Sequence, residues 1–279
     1  MRNNEKRLGL APDTPSGAAD ATAAAAPLTF VVPTEFVELP SQGKFYPEGH
    51  PLHDEDTIEI KFMTAKEEDI LTSTALIKKG VVLERLISNL LIDKKIKSSS
   101  LLMGDRNAII VAARISAYGS EYDTTATCPD CSKESSNSYD LQQIEHTSNC
   151  LDPDFLNQEN IVYDTENYIF NIVLPKSQVT VGTKLMTGRS DRHTNAQKQE
   201  EASVTELLKT IIVSVNDNSD KTLINNFVDS MPAMDSKYLR RLYAKLVPNI
   251  DMKQEFLCVY CGHVSDMEVP FTAAFFWPE

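Results

Sequence analysis

Four of the five cysteines of this 279-residue chain are arranged as two Cys-x-x-Cys pairs. Cys128 and Cys131 form the first pair, Cys258 and Cys261 form the second, and 126 residues lie between the pairs. A Cys-x-x-Cys turn directs two thiolates at one point, and a structural zinc ion takes four ligands in a tetrahedron. We therefore predict that the two pairs meet and hold one Zn²⁺ ion per chain, although four thiolates accommodate iron as well.

Two other interpretations of these cysteines are unpaired thiols in a core and a redox-active pair. A redox Cys-x-x-Cys pair usually begins a helix that follows a strand, where the helix dipole lowers the thiol pKa. Here the flanking segments TTAT, SKESSNSYDL and VSDMEVPF are typical of strands, which disfavours redox chemistry. Four thiolates also complete the coordination shell, so no position remains for a catalytic water and neither His146 nor His263 is needed as a ligand. Cys150 has no cysteine nearby and is interpreted as a small, partly buried thiol.

Each cysteine pair is predicted to follow the same order of elements, namely a helix, a strand, the Cys-x-x-Cys turn and a second strand. In the first half the helix is predicted to begin with Asp105 as its N-cap and to end at Gly119. Asp105 lies 23 residues before Cys128, and Asp235 lies 23 residues before Cys258. The matching order and offset indicate an internal duplication.

The rest of the chain indicates one α+β domain with an N-terminal extension. Residues 1–34 are rich in Ala, Pro, Gly and Asp, which is typical of a disordered arm. Residues 35–279 are predicted to form a single domain of two pseudo-repeats, about 35–145 and 200–279, with a central insertion at about 146–199. The predicted fold class is therefore α+β, a helical body of two related helix units joined by a shared four-cysteine zinc ribbon, with small β-hairpins.

Local patterns predict three elements of this body. A helix is predicted at about 65–77, where Thr64 and Glu67 form a capping box, and a second helix at about 81–92, where leucines share one face. The segment 161–175 has the pattern of a β-hairpin, with DTEN at its tip. These short, mixed elements favour the α+β class.

Composition, charge and the lack of known catalytic motifs disfavour several classes of function. The net charge is −13, which disfavours nucleic-acid binding because phosphate contacts by Lys and Arg dominate that affinity. The basic segment KYLRRLYAK at 237–245 is interpreted as the solvent-exposed face of a helix. No stretch approaches the roughly 20 apolar residues of a membrane-spanning helix, and no P-loop, GxGxxG, HExxH or GxSxG motif occurs. We therefore expect a cytosolic protein that is not an enzyme and does not bind membranes.

Three segments of the first half carry a resemblance to a known family. VELPSQGKFYPEGHPL, IEIKFMTAKEEDIL and AARISAYGSEYDTTATCPDC resemble the baseplate hub assembly proteins of T-even-type tailed bacteriophages. The resemblance covers most of residues 36–145 and, more loosely, the second Cys-x-x-Cys turn. The positions that match the family pattern are Leu39, Pro40, Ser41, Gly43, Tyr46, Arg114, Tyr118, Gly119, Cys128 and Cys131.

The resemblance implies a non-enzymatic, late-expressed structural or assembly protein of the baseplate hub or wedge of a contractile tail. Its partners would be other baseplate or tail-hub proteins, in the virion or in the cytoplasm of the infected bacterium during assembly. Two other functions stay open. A zinc-ribbon nucleic-acid-binding or transcription-associated factor is opposed by the net charge, and a zinc hydrolase would need an exchangeable water and a base that the sequence does not offer.

The turn LPSQGKFYP and the arm at 1–35 are the candidate partner-binding surfaces. The residues predicted to contact a partner are Pro40, Ser41, Gly43, Phe45 and Tyr46, with the two aromatic residues as anchors if solvent reaches them. The alternative interpretation is a tight β-turn that packs against its own domain.

Overall fold

The computed structural model describes residues 32–188, 203–269 and 275–276, and it confirms the α+β class. The helices in these ranges are α1 (Ala65–Thr72), α2 (Thr74–Lys78), α3 (Val82–Leu90), α4 (Met103–Tyr118), α5 (Pro153–Gln158), α6 (Val204–Ile211), α7 (Lys221–Ser230) and α8 (Ala233–Leu246). The strands are β1 (Thr34–Glu38), β2 (Thr57–Lys61), β3 (Glu121–Thr127), β4 (Glu134–Asp140), β5 (Glu145–Thr147), β6 (Ile161–Asp164), β7 (Ile169–Val173), β8 (Thr180–Thr183), β9 (Ile212–Val215), β10 (Asn249–Asp251), β11 (Lys253–Leu257) and β12 (Val264–Glu268). None of these described helices combines the length and the apolar character needed to cross a membrane. The predicted N-terminal arm lies almost wholly outside the described residues.

The strands pair in small antiparallel sheets. The strand pairs β1–β2, β3–β4, β5–β10 and β11–β12 each form a two-stranded sheet, and β6 to β9 form a four-stranded sheet in chain order. The hairpin predicted at 161–175 is confirmed as β6 and β7, with Tyr163 opposite Phe170. Because β5 pairs with β10, the middle of the chain is joined to the segment that leads into the second cysteine pair.

The two helices predicted near the N-terminal end are interrupted or shortened by other contacts. Thr64 and Glu67 form the predicted capping box, but Ser73 has an extended backbone, with ψ of 102°, and separates α1 from α2. The helix α3 stops before Leu91, because Leu91 forms an antiparallel bridge to Ile60 of β2. Tertiary pairing therefore overrides the helical periodicity at this point.

Two hydrophobic clusters of different size lie in the described chain. The large cluster surrounds α4, whose Ile109 and Ala113 are inaccessible to solvent, and extends to Phe170 in β7. The small cluster lies at the cysteines, where β3 contributes Ala126 and β11 contributes Phe256. Each fully buried large apolar side chain contributes about 1.5–3 kcal/mol, so the helical body has a substantial core and the cysteine hairpins have only a small one.

Asp105 does not cap α4, contrary to the prediction. The helix begins at Met103 after Leu102, so Asp105 lies within the first turn and is fully buried. Its carboxylate accepts hydrogen bonds from the Ser41 N–H (3.0 Å), the Ser41 hydroxyl (2.6 Å) and the Tyr46 hydroxyl (2.7 Å). The capping rule considers donors within the same helix, whereas these donors lie about 60 residues away along the chain.

The five residues predicted to contact a partner are buried inside the chain, which corrects that prediction. These residues are Pro40, Ser41, Gly43, Phe45 and Tyr46. The Phe45 ring packs against Tyr163 and Phe170, with its centroid 5.7 Å from each of the other two. Gly43 has a φ of 70°, and a Cβ there would lie 2.4 Å from the backbone nitrogen of Glu55. The structure therefore favours the alternative, a turn that packs against its own domain.

Candidate metal centre

The first cysteine pair lies in a tight turn between β3 and β4. The N–H of Cys128 donates to the Lys133 carbonyl, and the N–H of Ser132 donates to the Cys128 carbonyl, both at 2.9 Å. Ser132 has a φ of 57°, a left-handed conformation that costs energy for a residue with a Cβ. This backbone fixes the positions of the Cys128 and Cys131 side chains.

The second cysteine pair, between β11 and β12, has the same hydrogen-bond pattern. The N–H of Cys258 donates to the His263 carbonyl, and the N–H of Gly262 donates to the Cys258 carbonyl, again at 2.9 Å. Gly262 has a φ of 72°, which glycine adopts without a steric penalty. The two turns therefore have the same backbone geometry at positions 130 residues apart.

The four cysteine sulfur atoms come together in one cluster, with all Sγ atoms within 4.8 Å of one another. Cys128 Sγ lies 3.7 Å from Cys261 Sγ, and Cys131 Sγ lies 3.6 Å from Cys258 Sγ. Thiolates bound at about 2.3 Å to one tetrahedral zinc ion are about 3.8 Å apart, whereas a disulfide needs about 2.05 Å. The donor set and its spacing therefore fit a single tetrahedral metal ion and do not fit disulfides.

Polar side chains hold the two hairpins together beneath the cysteines. Gln254 of β11 donates to the Asp140 carbonyl (2.7 Å) and accepts from the Asp140 N–H (3.1 Å). Asn137 of β4 accepts from the Leu257 N–H (3.3 Å). Neither side chain was predicted from the sequence to have this role. A sequence pattern that could have identified them is a polar residue on the inward-facing side of a strand with alternating side chains. Such a buried polar group needs a hydrogen-bond partner, here from a neighbouring segment of the chain.

The close approach of the thiols separates their pKa values. Burial raises the pKa of Cys258, but the N–H groups of Cys261 and Tyr260 and the adjacent thiols outweigh it and lower the pKa to about 6. For Cys261, the His263 N–H lowers the pKa, but burial and the neighbouring sulfur atoms raise it to about 12. Cys258 and Cys261 thus resist ionising together, and a bound divalent cation is the charge that would allow both to be thiolates.

The other candidate ligands do not join this cluster. Among the described residues that could bind a metal, neither His146 nor His263 has a ring nitrogen in the group. Cys150 is only 3% exposed, and burial raises the pKa of its thiol to about 12. It is therefore an unreactive core thiol, more deeply buried than the sequence suggested.

Arg114 gives a physical reason for the Arg-x-x-x-Tyr-Gly pattern before the first hairpin. Its side chain is 1% exposed and donates to the carbonyls of Gly119 (2.8 Å), Glu121 (3.2 Å) and Phe275. The guanidinium also lies over the Tyr118 ring, 5.3 Å from its centroid. Arg114 therefore fixes the angle between α4 and β3, and so the position of the first cysteine pair.

A second buried aspartate, Asp235 in the first turn of α8, orients the helix that leads to the second pair. Its carboxylate accepts from the backbone N–H groups of Lys176 (2.8 Å) and Ser177 (2.9 Å). Burial raises the pKa of Asp235, but these hydrogen bonds outweigh it and lower the pKa below its usual range. The donors belong to the turn LPKSQ at 174–178, and its similarity to LPSQ at 39–42 is the signal that could have identified it.

The basic segment at 237–245 lies on the outside of α8, as predicted. Lys237, Arg241 and Lys245 are exposed at four-residue spacing, while Leu239 and Leu242 are buried. The three basic residues line an open cleft of about 530 Å³ that has no serine, cysteine or histidine among the described residues lining it.

Comparison with known proteins gives one family. The model of the family described as T4 bacteriophage base plate protein matches residues 32–277. No curated protein and no solved structure matches the chain significantly.

Proposed function

The chain belongs to the T4 bacteriophage base plate protein family, which places it in the phage tail, and we propose that it is a non-enzymatic structural or assembly protein of the baseplate hub or wedge. The observation that carries the proposal is the family match over nearly the whole chain. Its partners are other baseplate or tail-hub proteins, as the family implies. The one-sided acidic balance, with a net charge of −13, favours protein partners over nucleic acid.

The cysteine cluster gives this protein a brace, and we propose that the ion is zinc, one per chain. Cys128 and Cys131 come from the first half, and Cys258 and Cys261 come from the second, so one ion would join segments that are 126 residues apart. Four thiolates leave no position for water or substrate, and the ion would therefore supply folding energy and no catalysis. The hydrophobic core at the hairpins is small, so the hairpins need the stability that a metal cross-link between them would supply.

We also propose that the chain is one domain built from two pseudo-repeats. Each half places a Leu-Pro turn against the buried aspartate of its long helix, Asp105 in α4 and Asp235 in α8. Gln42 and Gln178 occupy left-handed conformations in these two turns, with φ of 49° and 57°. Such conformations are uncommon outside glycine, so their recurrence supports a common origin.

These contacts change the proposed limits of the second repeat. The turn at 174–178 lies inside the segment first interpreted as a central insertion, about 146–199. The strands β7 and β8 flank this turn as β1 and β2 flank the first one. The second repeat then begins near Ile169, and the insertion is reduced to about 146–168.

Three measurements test the proposal, two on wild-type material and one on a mutant phage. We expect elemental analysis to give one zinc per purified chain. We also expect mass spectrometry to detect the chain in purified tails, and a phage with a nonsense mutation in this gene to accumulate incomplete baseplates. Complete, infectious baseplates without the chain would contradict a structural or assembly role.

The alternative, a nucleic-acid-binding ribbon, has less support. The outward side of the second hairpin carries three acidic residues, Glu255, Asp266 and Glu268, against one basic residue, Lys253, so its net charge repels phosphates. Binding of duplex DNA that weakens steeply with added salt would restore this alternative.

A further inference from the structure

The two cysteine hairpins differ on their outward faces, although their strand registers and turns match. On the first hairpin the cross-strand pair next to the cysteines is Thr127 and Glu134. On the second hairpin the equivalent pair is Leu257 and Val264. Leu257 is 51% exposed and Val264 is 55% exposed. An exposed aliphatic pair at this position is thus a property of the second hairpin only.

The turn of the second hairpin extends the apolar surface. Val259 is 69% exposed and Tyr260 is 61% exposed, whereas the first turn has Pro129 and Asp130 at these positions. Lys133 of the first turn lies 5.0 Å from the Tyr260 ring centroid. The four neighbouring exposed side chains form what we call the apolar tip, Leu257, Val259, Tyr260 and Val264. Contiguous exposed apolar surface of this kind is typical of protein contact sites.

The strand positions next to the apolar tip carry an unfavourable charge arrangement. Glu255 and Asp266 are exposed and lie directly opposite each other in the β11–β12 register. Like charges in a cross-strand pair destabilise a hairpin, and neither carboxylate has an ion pair within the described residues. The first hairpin has Thr125 and Ser136 at the equivalent pair. A basic side chain from another molecule would remove this repulsion.

We propose that the apolar tip and the Glu255–Asp266 pair form the surface by which this chain docks on another baseplate protein. The partner would present an apolar surface bordered by at least one lysine or arginine. This inference rests on the proposed function and adds the chemistry of the partner. Cys258 and Cys261 lie in the same turn as Val259 and Tyr260, so a metal ion held by the four cysteines would keep the docking surface rigid and lower the entropy cost of binding. A second copy of this chain is a poorer match, because two acidic pairs would face each other.

The test uses two matched variants of the full chain. Leu257→Thr/Val264→Glu gives the second hairpin the residues of the first, which are compatible with the same strand pairing. Thr125→Ala/Ser136→Ala is the control on the outward face of the first hairpin. Each purified protein is checked for metal content and far-UV circular dichroism, then mixed with baseplate assembly intermediates from cells infected with a phage that lacks this chain. Co-sedimentation on a glycerol gradient measures binding.

We expect the wild type and the control variant to co-sediment, and the tip variant to bind at least about tenfold less, because central apolar anchors dominate interface energies. Glu255→Gln/Asp266→Asn should weaken binding and its salt dependence while slightly raising the thermal stability of the free chain. If this pair had only a structural role, the variant would not combine weaker binding with a higher thermal stability of the free chain.

Other outcomes would overturn the inference. If the tip variant co-sediments like the wild type, the docking surface lies elsewhere and the proposed function stands. If the wild type binds no intermediate and is absent from tails, the proposed function itself fails and this inference fails with it. If the wild type alone sediments as a dimer and the tip variant as a monomer, the surface is occupied by a second copy.

Discussion

The first half of the described chain and the second half place comparable elements around the cysteine cluster, but they secure those elements with different contacts. At the two Cys-x-x-Cys turns the backbone hydrogen bonds are the same in both halves. Away from the turns the contacts diverge. The Asp105 carboxylate accepts hydrogen bonds from two hydroxyl groups and one backbone N–H, whereas the Asp235 carboxylate accepts hydrogen bonds from two backbone N–H groups.

A second difference lies at the C-terminal end of the long helices. Arg114 of α4 is buried and contacts three carbonyl groups, and the residue 130 positions later in α8 is the exposed Ala244. The halves thus share the geometry that four sulfur atoms around one ion require, and differ where several packing solutions are acceptable. Coordination geometry has a narrow range of distances, whereas cores tolerate many combinations of side chains.

The largest expected effect comes from removing one cysteine from either half. Cys128→Ser and Cys258→Ser should each abolish metal binding, because three thiolates no longer close the site. Structural zinc contributes on the order of 10 kcal/mol in small zinc domains, so the amides of 121–140 and 253–268 should lose protection from hydrogen exchange, while α4 keeps it. Elemental analysis and hydrogen exchange measure both effects.

Cys150→Ala is the matched control, because Cys150 lies outside the cluster, and it should retain the full metal content. If each single ligand variant instead kept half of the metal, the two hairpins would be separate sites.

The next largest effect is expected at Arg114, whose position in the second half is occupied by Ala244. Arg114→Lys should lower the free energy of unfolding by about 2–4 kcal/mol, because a lysine cannot reach three buried carbonyl groups in a fixed plane. Chemical denaturation measures this value. Arg241→Lys on the exposed side of α8 should change it by less than about 0.5 kcal/mol. An equal, small effect of both changes would show that the Arg114 contacts do not stabilise the fold.

The buried aspartates should differ in their tolerance of an amide. In Asp235→Asn one amide N–H₂ group would face a backbone N–H, which cannot rotate, and we expect a loss of about 1–3 kcal/mol. In Asp105→Asn the hydroxyl groups of Ser41 and Tyr46 can turn to accept, so the loss should be about 1 kcal/mol or less. Denaturation of both variants at neutral pH measures the difference, and the reverse order would contradict it.

The same pair should give opposite pH dependences. Burial raises the pKa of Asp105 more than its hydrogen bonds lower it, so the folded state binds the proton first and this contribution to stability is lost as pH rises through the folded pKa. The pKa of Asp235 is lowered, so its contribution is present above the unfolded pKa and is lost as pH falls through the folded pKa. The free energy of unfolding should be measured from pH 3 to 7 for the wild type and both asparagine variants. The difference between the wild type and Asp105→Asn should fall as pH rises, and the difference between the wild type and Asp235→Asn should increase. If both differences changed with pH in the same direction, the stated pKa directions would be contradicted.

The smallest expected effect tests the one backbone position where the cysteine turns differ in strain. Ser132→Gly should stabilise the chain by about 0.5–1 kcal/mol, and Gly262→Ser should destabilise it by a similar amount, since φ is positive at both. Among the described residues, no atom lies within 4 Å of a Cβ placed at Gly262, so the effect is conformational only. Thermal melts of the proteins with metal bound measure both changes in stability. If the two substitutions changed stability in the same direction, the explanation would be contradicted.

The local features of this protein could be predicted from its amino-acid sequence. The cysteine spacing predicted that the four sulfur atoms would meet, because a Cys-x-x-Cys turn is a local structure and a closed site needs four donors. The capping box at Thr64 and the hairpin at 161–175 were predictable for the same reason, since their signals lie within a few residues. The resemblance of the first half to baseplate proteins agrees with the family match.

The burial of individual side chains, and the hydrogen-bond partners of the buried polar groups, depend on contacts between segments that are distant along the chain. Asp105 has the sequence context of an N-cap, yet its donors, Ser41 and Tyr46, come from a distant turn. The sequence predicts that turn to be a contact surface, whereas its aromatic residues Phe45 and Tyr46 lie in the core. The outward positions of β11 and β12 became visible only once register fixed the faces, because a strand pattern alternates without stating which side meets the core.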